Sequence, residues 1–206
     1  MTLAGGLFHL AYRVSSSRFL GKAIGFEYLT PFLPLKKLLD RKEIVAFLHP
    51  RPAFASHLLL VPKKSIPSFR ELLIKDNETY FAAAIAAGRE ILVDRGWPEY
   101  SFGVNGGSYQ DVAQVHFHLY EGTPHWSPMG DENLGDCVLE TQGLSVCRHP
   151  SPCRTTHLVL RTGRNVTSLG SMGRALQDTI DHFPALQTAY TIFIEFPDLE
   201  DDTVVF

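Results

Sequence analysis

With 206 residues, 45% hydrophobic and 20% charged, the chain has ample length for a sizeable core and the composition of an ordinary soluble globular protein, built as one large domain or two small ones. A net charge of -3 gives no general attraction to polyanions, which argues against a protein that coats nucleic acid. The three cysteines, Cys137, Cys147 and Cys153, cannot all pair within one chain and form no CxxC, so neither a disulfide framework nor a Cys-rich zinc site is expected, and a reducing, cytoplasmic setting is.

Met1 to Tyr12 is apolar but carries no basic leader or clear cleavage site, so it does not read as a signal peptide. No uninterrupted apolar run approaches the roughly 18 residues of a spanning helix, and no membrane partner is expected. Phe19 to Phe26, flanked by Arg13, Arg18 and Lys22, has the makings of a weak surface-binding helix, although packing as part of an N-terminal extension over residues 1–38 is the simpler reading.

Ile44 to Phe47 and His57 to Val61 are short apolar runs bounded by prolines, which predicts two strands joined by a loop stiffened by Pro50 and Pro52. Lys63 and Lys64 follow as a solvated strand end. Asp76 or Asn77 caps a helix carrying Phe81, Ile85 and Leu92 on one face, and Gly96 after Asp94-Arg95 is its stop signal. Ser101 to Val104 returns as a strand, Asn105-Gly106-Gly107 reads as a turn, and Ala113 to Tyr120 as the next strand.

The chain then repeats itself. His49-Pro50-Arg51-Pro52 followed by His57-Leu58-Leu59-Leu60 recurs as His149-Pro150-Ser151-Pro152 followed by His157-Leu158-Val159-Leu160. A helix-like segment, Ser168 to His182, and a strand-like run, Tyr190 to Phe196 matching Tyr100 to Val104, complete the second copy. It ends at Thr203 to Phe206, before any counterpart of the paired histidines. Two related half-units are therefore expected, 39–128 and 129–206, with the Pro-, Gly- and acid-rich stretch Thr123 to Gly135 as linker.

Chemistry concentrates in Gln114-Val115-His116-Phe117-His118-Leu119-Tyr120, where a strand's period of two puts Gln114, His116 and His118 on one face. A neutral imidazole that hydrogen-bonds through Nδ1 presents the Nε2 lone pair, so His116 needs no prior deprotonation to act as a nucleophile. His118 beside it is placed to bind or protonate phosphate oxygens. His116 and His118, at i and i+2, are also capable of ligating zinc or iron together with His57 or His125.

This segment resembles the signature of the histidine triad (HIT) superfamily, His-φ-His-φ-His-φ-φ with φ apolar and the middle histidine as nucleophile. Phe47 through Lys64 is similar to the family's strand, loop and strand ending in His and Pro-Lys-Lys, Asn105-Gly106-Gly107 to its Asn-x-Gly turn, and Gln110, Val112 and His125-Trp126 to positions flanking the triad. The doubled unit is reminiscent of the galactose-1-phosphate uridylyltransferase branch.

The resemblance implies an α+β fold, a HIT-like antiparallel sheet with flanking helices. It implies a nucleotide phosphate hydrolase in which His116 attacks the α-phosphorus of a phosphoramidate, adenylate or dinucleoside polyphosphate and forms a nucleotidyl-histidine. His118 and His57 would hold phosphate oxygens or orient His116, Asn105 and Gln110 would donate hydrogen bonds to the phosphate, and no metal or other cofactor is required. Three departures stand out: Gln114 replaces the leading histidine, Asp111 a hydroxyl residue near the leaving group, and His49 an acidic or amide residue that contacts ribose. All three count as candidate substrate-binding positions. Retention of His118, where the uridylyltransferase branch has Gln, favours a hydrolase over a nucleotidyltransferase, and Gln114 keeps a non-catalytic nucleotide-binding protein as the alternative. The second half-unit would stand in for the partner subunit of a family dimer, making the chain a pseudo-dimeric monomer or the protomer of a larger homodimer.

Overall fold

The computed structural model describes residues 36–49, 52–54, 56–110, 112–122, 137–141, 144–148, 158–162 and 169–194. The N-terminal extension up to residue 35, the linker, His9, Asp111, His125, Trp126, His149, Cys153, His157 and the final strand expected at Thr203 to Phe206 lie outside them.

In chain order the elements are β1 (Lys37–Asp40), β2 (Ile44–Leu48), β3 (His57–Pro62), α1 (Phe69–Leu72), a 3-10 turn, α2 (Glu78–Arg95), β4 (Tyr100–Gly107) and β5 (Phe117–Glu121), then β6 (Cys137–Thr141), β7 (Leu144–Arg148), β8 (Leu158–Thr162), α3 (Leu169–His182), α4 (Pro184–Thr188) and β9 (Ala189–Ile194). The larger sheet is antiparallel, with strand order β1-β2-β3-β5-β4-β9, and β6-β7-β8 form a second, three-stranded sheet. The architecture is α+β, as expected.

The larger sheet has two buried sides because its strands alternate. Leu58, Leu60, Phe102, Val104, Phe117 and Leu119 point toward the helices and meet Phe69, Phe81 and Ile85 there, while Val45, Phe47 and Val61 cluster with Leu59 on the other side. Helix α2 begins after Asn77 and ends at Gly96, whose left-handed φ of 61° closes it through an N–H to the Leu92 carbonyl. Asn77 does not cap with its side chain. Its carboxamide accepts from Lys64 Nζ at 2.6 Å and donates to the Glu71 carbonyl at 2.6 Å, so Lys64 is tied into the structure rather than solvated.

Two expectations need correcting. Asn105-Gly106-Gly107 is not the turn: β4 runs through all three residues, and the chain reverses at Ser108 and Tyr109. The glycines serve packing against β9. A Cβ on Gly106 would lie 2.0 Å from the ring of Tyr190, and one on Gly107, at φ 60°, 2.0 Å from the Thr188 carbonyl oxygen. Gly106→Ala is therefore expected to lower unfolding free energy by about 1–3 kcal/mol through overpacking, measured by chemical denaturation. Wild-type stability in that variant would show that Tyr190 is not seated there.

The second correction concerns the cysteines. Cys137 and Cys147 stand opposite each other across β6 and β7 and are joined by a disulfide. Sequence arithmetic fails here because an odd count excludes complete pairing, not one cross-strand bridge. The inference of a reducing compartment loses its footing with it.

The registers of the two meanders coincide. Lys37 pairs with Phe47 and, after a register shift, Leu39 with Ala46; Cys137 pairs with Cys147 and, after the same shift, Leu139 with Val146. In each half a three-stranded meander leads to a helix and then to a strand, β4 or β9, and these two strands pair with each other, Gly103 opposite Phe193. Among the described residues no helix is long and apolar enough to cross a membrane.

Candidate functional site

Register brings the histidines together. His57 of β3 lies opposite Tyr120 of β5, and Leu59 opposite His118, so alternation puts His57, Leu59, His118 and Tyr120 on one side of the sheet, away from the helices. On β4, Gly103 faces His118, and Asn105, two residues further along the strand, lies on that same side of the sheet.

The hydrogen bonds fix the tautomers. The Ala53 N–H donates to His57 Nδ1 at 3.3 Å, so neutral His57 carries its proton on Nε2. That proton is donated to His118 Nδ1, 3.0 Å away, which puts the His118 proton on Nε2. This last nitrogen is buried and, among the described residues, has no hydrogen-bond partner. His116 differs: its Nδ1–H donates to the Gln114 carbonyl at 2.9 Å, leaving Nε2 as the nitrogen with the lone pair. Its ring meets the His118 ring edge-to-face, 4.9 Å between centroids.

Burial keeps the relay neutral. Desolvation, reinforced by the charges of His116, His57 and His49, lowers the His118 pKa from 6.5 to about 3. Desolvation, then His49 and His116, lowers that of His57 to about 4. His118 thus enters the site at neutral pH as a fixed N–H donor and not as a cationic acid.

Gln114 is not on the site face. Strand β5 begins only at Phe117, so the alternation argument does not reach position 114. The buried carboxamide instead turns onto the chain after β3: Oε1 accepts from the Ile66 N–H at 3.2 Å, and Nε2 donates to the carbonyls of Pro62 at 3.0 Å and Lys64 at 3.1 Å. Next to it the Val115 N–H donates to the Ile66 carbonyl at 2.7 Å. Gln114 therefore anchors the backbone whose carbonyl holds His116. Gln114→Ala strips three buried backbone groups of their partner and is expected to cost about 2–4 kcal/mol of stability by chemical denaturation. A loss below about 0.5 kcal/mol would show that the clamp contributes nothing.

Gln110 is also committed elsewhere. Both hydrogens of Nε2 go to backbone carbonyls, Pro67 and Val112, each at 2.6 Å, which leaves neither for a phosphate. His49 stacks on His57 with centroids 4.2 Å apart. Sequence reasoning missed Phe54, which stacks on Tyr120 at 3.9 Å and meets the edge of His57 at 5.7 Å. Period-two spacing from His118 to Tyr120 was the available signal; the position of Phe54, in the loop before β3, offered none. Of the histidines, His49, His57 and His118 bring ring nitrogens within 4.8 Å of one another, close enough to suggest a shared ion. An ion there would have to break the hydrogen bond between His57 and His118.

A buried histidine relay beside an imidazole with a fixed tautomer, on a helix-backed antiparallel sheet, marks a candidate histidine-based site in an α+β fold. The HIT domain family profile matches residues 32–125. An uncharacterized HIT-like protein of Methanocaldococcus jannaschii is 33% identical over 95 residues, covering 44% of this chain and 73% of the relative. Among solved structures, a HIT family hydrolase from Legionella pneumophila is 26% identical, covers 50% of this chain and 95% of its own, and superposes with a TM-score of 0.45. A DUF4931 family protein from Bacillus cereus is 10% identical but covers 79% of this chain and 81% of its own, with a TM-score of 0.57, so the shared fold extends into the C-terminal half. The chain belongs to the HIT family.

Proposed function

We propose that this protein is a nucleotide phosphate hydrolase that works through a nucleotidyl-histidine on His116. The observation that carries the reading is the 2.9 Å hydrogen bond from His116 Nδ1–H to the Gln114 carbonyl, which leaves the lone pair on Nε2, the nitrogen a nucleophilic histidine needs. In the first step Nε2 forms a bond to the α-phosphorus while the bond from phosphorus to the leaving amine or phosphate breaks, and the leaving group takes its proton from solvent. The Gln114 carbonyl stabilises the imidazolium left on His116. In the second step water attacks the same phosphorus, the P–N bond breaks, a proton returns to solvent, and His116 is neutral again.

His118 Nε2–H, a buried donor with no partner among the described residues, is suited to a non-bridging phosphate oxygen whose charge grows in the transition state. His57 holds it in that tautomer. Asn105, on the same side of the sheet as His118, is the second donor, and His49 and the Phe54–Tyr120 stack border the same site. Asp111, Gln110 and Gln114 lie along the segment that carries His116; Gln110 and Gln114 act by shaping it. The second half-unit, 129–206, is read as a degenerate copy of 39–128 that serves as a built-in partner through the β4–β9 pairing.

The test is intact-protein mass spectrometry after rapid neutral or alkaline quenching with an amino-linked adenylate and with a dinucleoside polyphosphate. A mass increase of one nucleotidyl group, or release of the mononucleotide, supports the reading and names the leaving-group class. Nucleotide binding with neither outcome would replace it with that of a non-catalytic nucleotide-binding module.

A further inference from the structure

Strand β9 lies outside the segment matched by the family profile, yet it supplies a contact to the site. Thr191 stands opposite Asn105 in the β4–β9 ladder, and its hydroxyl donates to Asn105 Oδ1 at 2.8 Å. A primary amide has one acceptor end and one donor end, and in this arrangement the Thr191 hydroxyl takes the acceptor end. With Oδ1 held toward β9, the Nδ2 hydrogens are directed away from it. Strand β4 lies between β9 and β5, so the other side is that of β5, the strand that carries His118.

The seating of β9 makes this contact specific. Gly106 and Gly107 admit the Tyr190 ring and the Thr188 carbonyl at distances no other residue would allow, and the Ser108 N–H donates to the Thr188 carbonyl at 2.8 Å. Tyr190 itself is buried against Phe69 of the core. The register that sets Thr191 against Asn105 is therefore locked by packing on the residue before it.

We propose that Thr191 is a positioning residue for the phosphate donor Asn105, so that the C-terminal half of the chain completes the site carried by the N-terminal half. The proposal rests on the hydrolase reading above and adds to it a requirement located outside the family-matched segment. An isolated carboxamide is free to present either end; presenting the oxygen to a phosphate replaces a hydrogen bond by repulsion.

The experiment is a double-mutant cycle in the full chain with Thr191→Val, which keeps shape and removes the hydroxyl, and Asn105→Ala, read on kcat/KM for the amino-linked adenylate and on Kd for AMP. Thr191→Val is expected to lower kcat/KM about tenfold, in line with the loss of one hydrogen bond to the amide, and Thr191→Ser to restore it. In the Asn105→Ala background Thr191→Val should have no further effect, although any cost in thermal stability should persist there. An equal effect of Thr191→Val with and without Asn105, or none in an active wild-type background, overturns the proposal. If wild type forms no adduct and turns nothing over, the hydrolase reading fails by itself, and the cycle on AMP affinity still decides whether Thr191 sets the Asn105 donor. Absence of AMP binding by wild type overturns both.

Discussion

Replacing His116 by alanine is expected to lower turnover of the amino-linked adenylate by more than about 10³-fold and to abolish the nucleotidyl adduct, because no other group supplies the displaced covalent step. The fold should survive: His116 is half-buried, and its hydrogen bond to the Gln114 carbonyl runs from the side chain to backbone that Gln114 and Val115 anchor independently. Thermal unfolding measured alongside separates loss of chemistry from loss of structure. Removal of His118 should leave the adduct forming slowly, since it takes away a donor but not the nucleophile. An adduct that persists at full rate in His116→Ala would move the nucleophile elsewhere and end the assignment.

The difference between these two histidines was only partly visible in the sequence. Their spacing predicted a shared face, and the β3–β5–β4 registers place His118 and Asn105 on that side of the sheet. What spacing could not convey was protonation chemistry. The same residue type, two positions apart, is held by a backbone carbonyl in one case and by another imidazole in the other. The relay depends on the Ala53 N–H, a backbone group with no side-chain signature.

Other features were legible to the extent that a local rule governed them. The limits of β2, β3 and α2, including the glycine stop, follow from proline boundaries, periodicity and left-handed backbone preference, which act within a few residues. The glycine run at 105–107 obeyed a distant partner instead. Two consecutive glycines ordinarily mark a turn, but here Tyr190 and Thr188 fill the space where their side chains would be. Gln114 likewise reads as polar and site-facing until the strand start at Phe117 and its three backbone partners are known. Both misreadings have one cause: contacts between residues tens of positions apart decide what a local pattern means. The repeat of the His-Pro motif, by contrast, is long-range yet visible in the sequence, and its second copy, His149 to Pro152, lies outside the described residues.

Acid should unfold this protein early. In an unfolded chain both relay imidazoles protonate near 6.5, whereas in the native protein burial holds His57 at about 4 and His118 at about 3. Between those limits the unfolded state binds more protons than the native state, so stability is fully present above pH 6.5 and falls as the pH drops toward 3. Chemical denaturation at pH 7.5 and pH 4.5 should differ by about 5 kcal/mol from this pair, and His118→Asn, which cannot titrate, should remove about half of that difference. The physical sense is that the site keeps two imidazoles dry and neutral so that one N–H is presented to the substrate without a charge of its own. Solvent entry on acidification would protonate both imidazoles, leave two N–H groups facing each other where His118 Nδ1 had accepted from His57, and set two like charges side by side. If wild type and His118→Asn lose stability identically between the two pH values, the relay is not buried as a neutral unit, and the role of His118 as an uncharged donor falls with it.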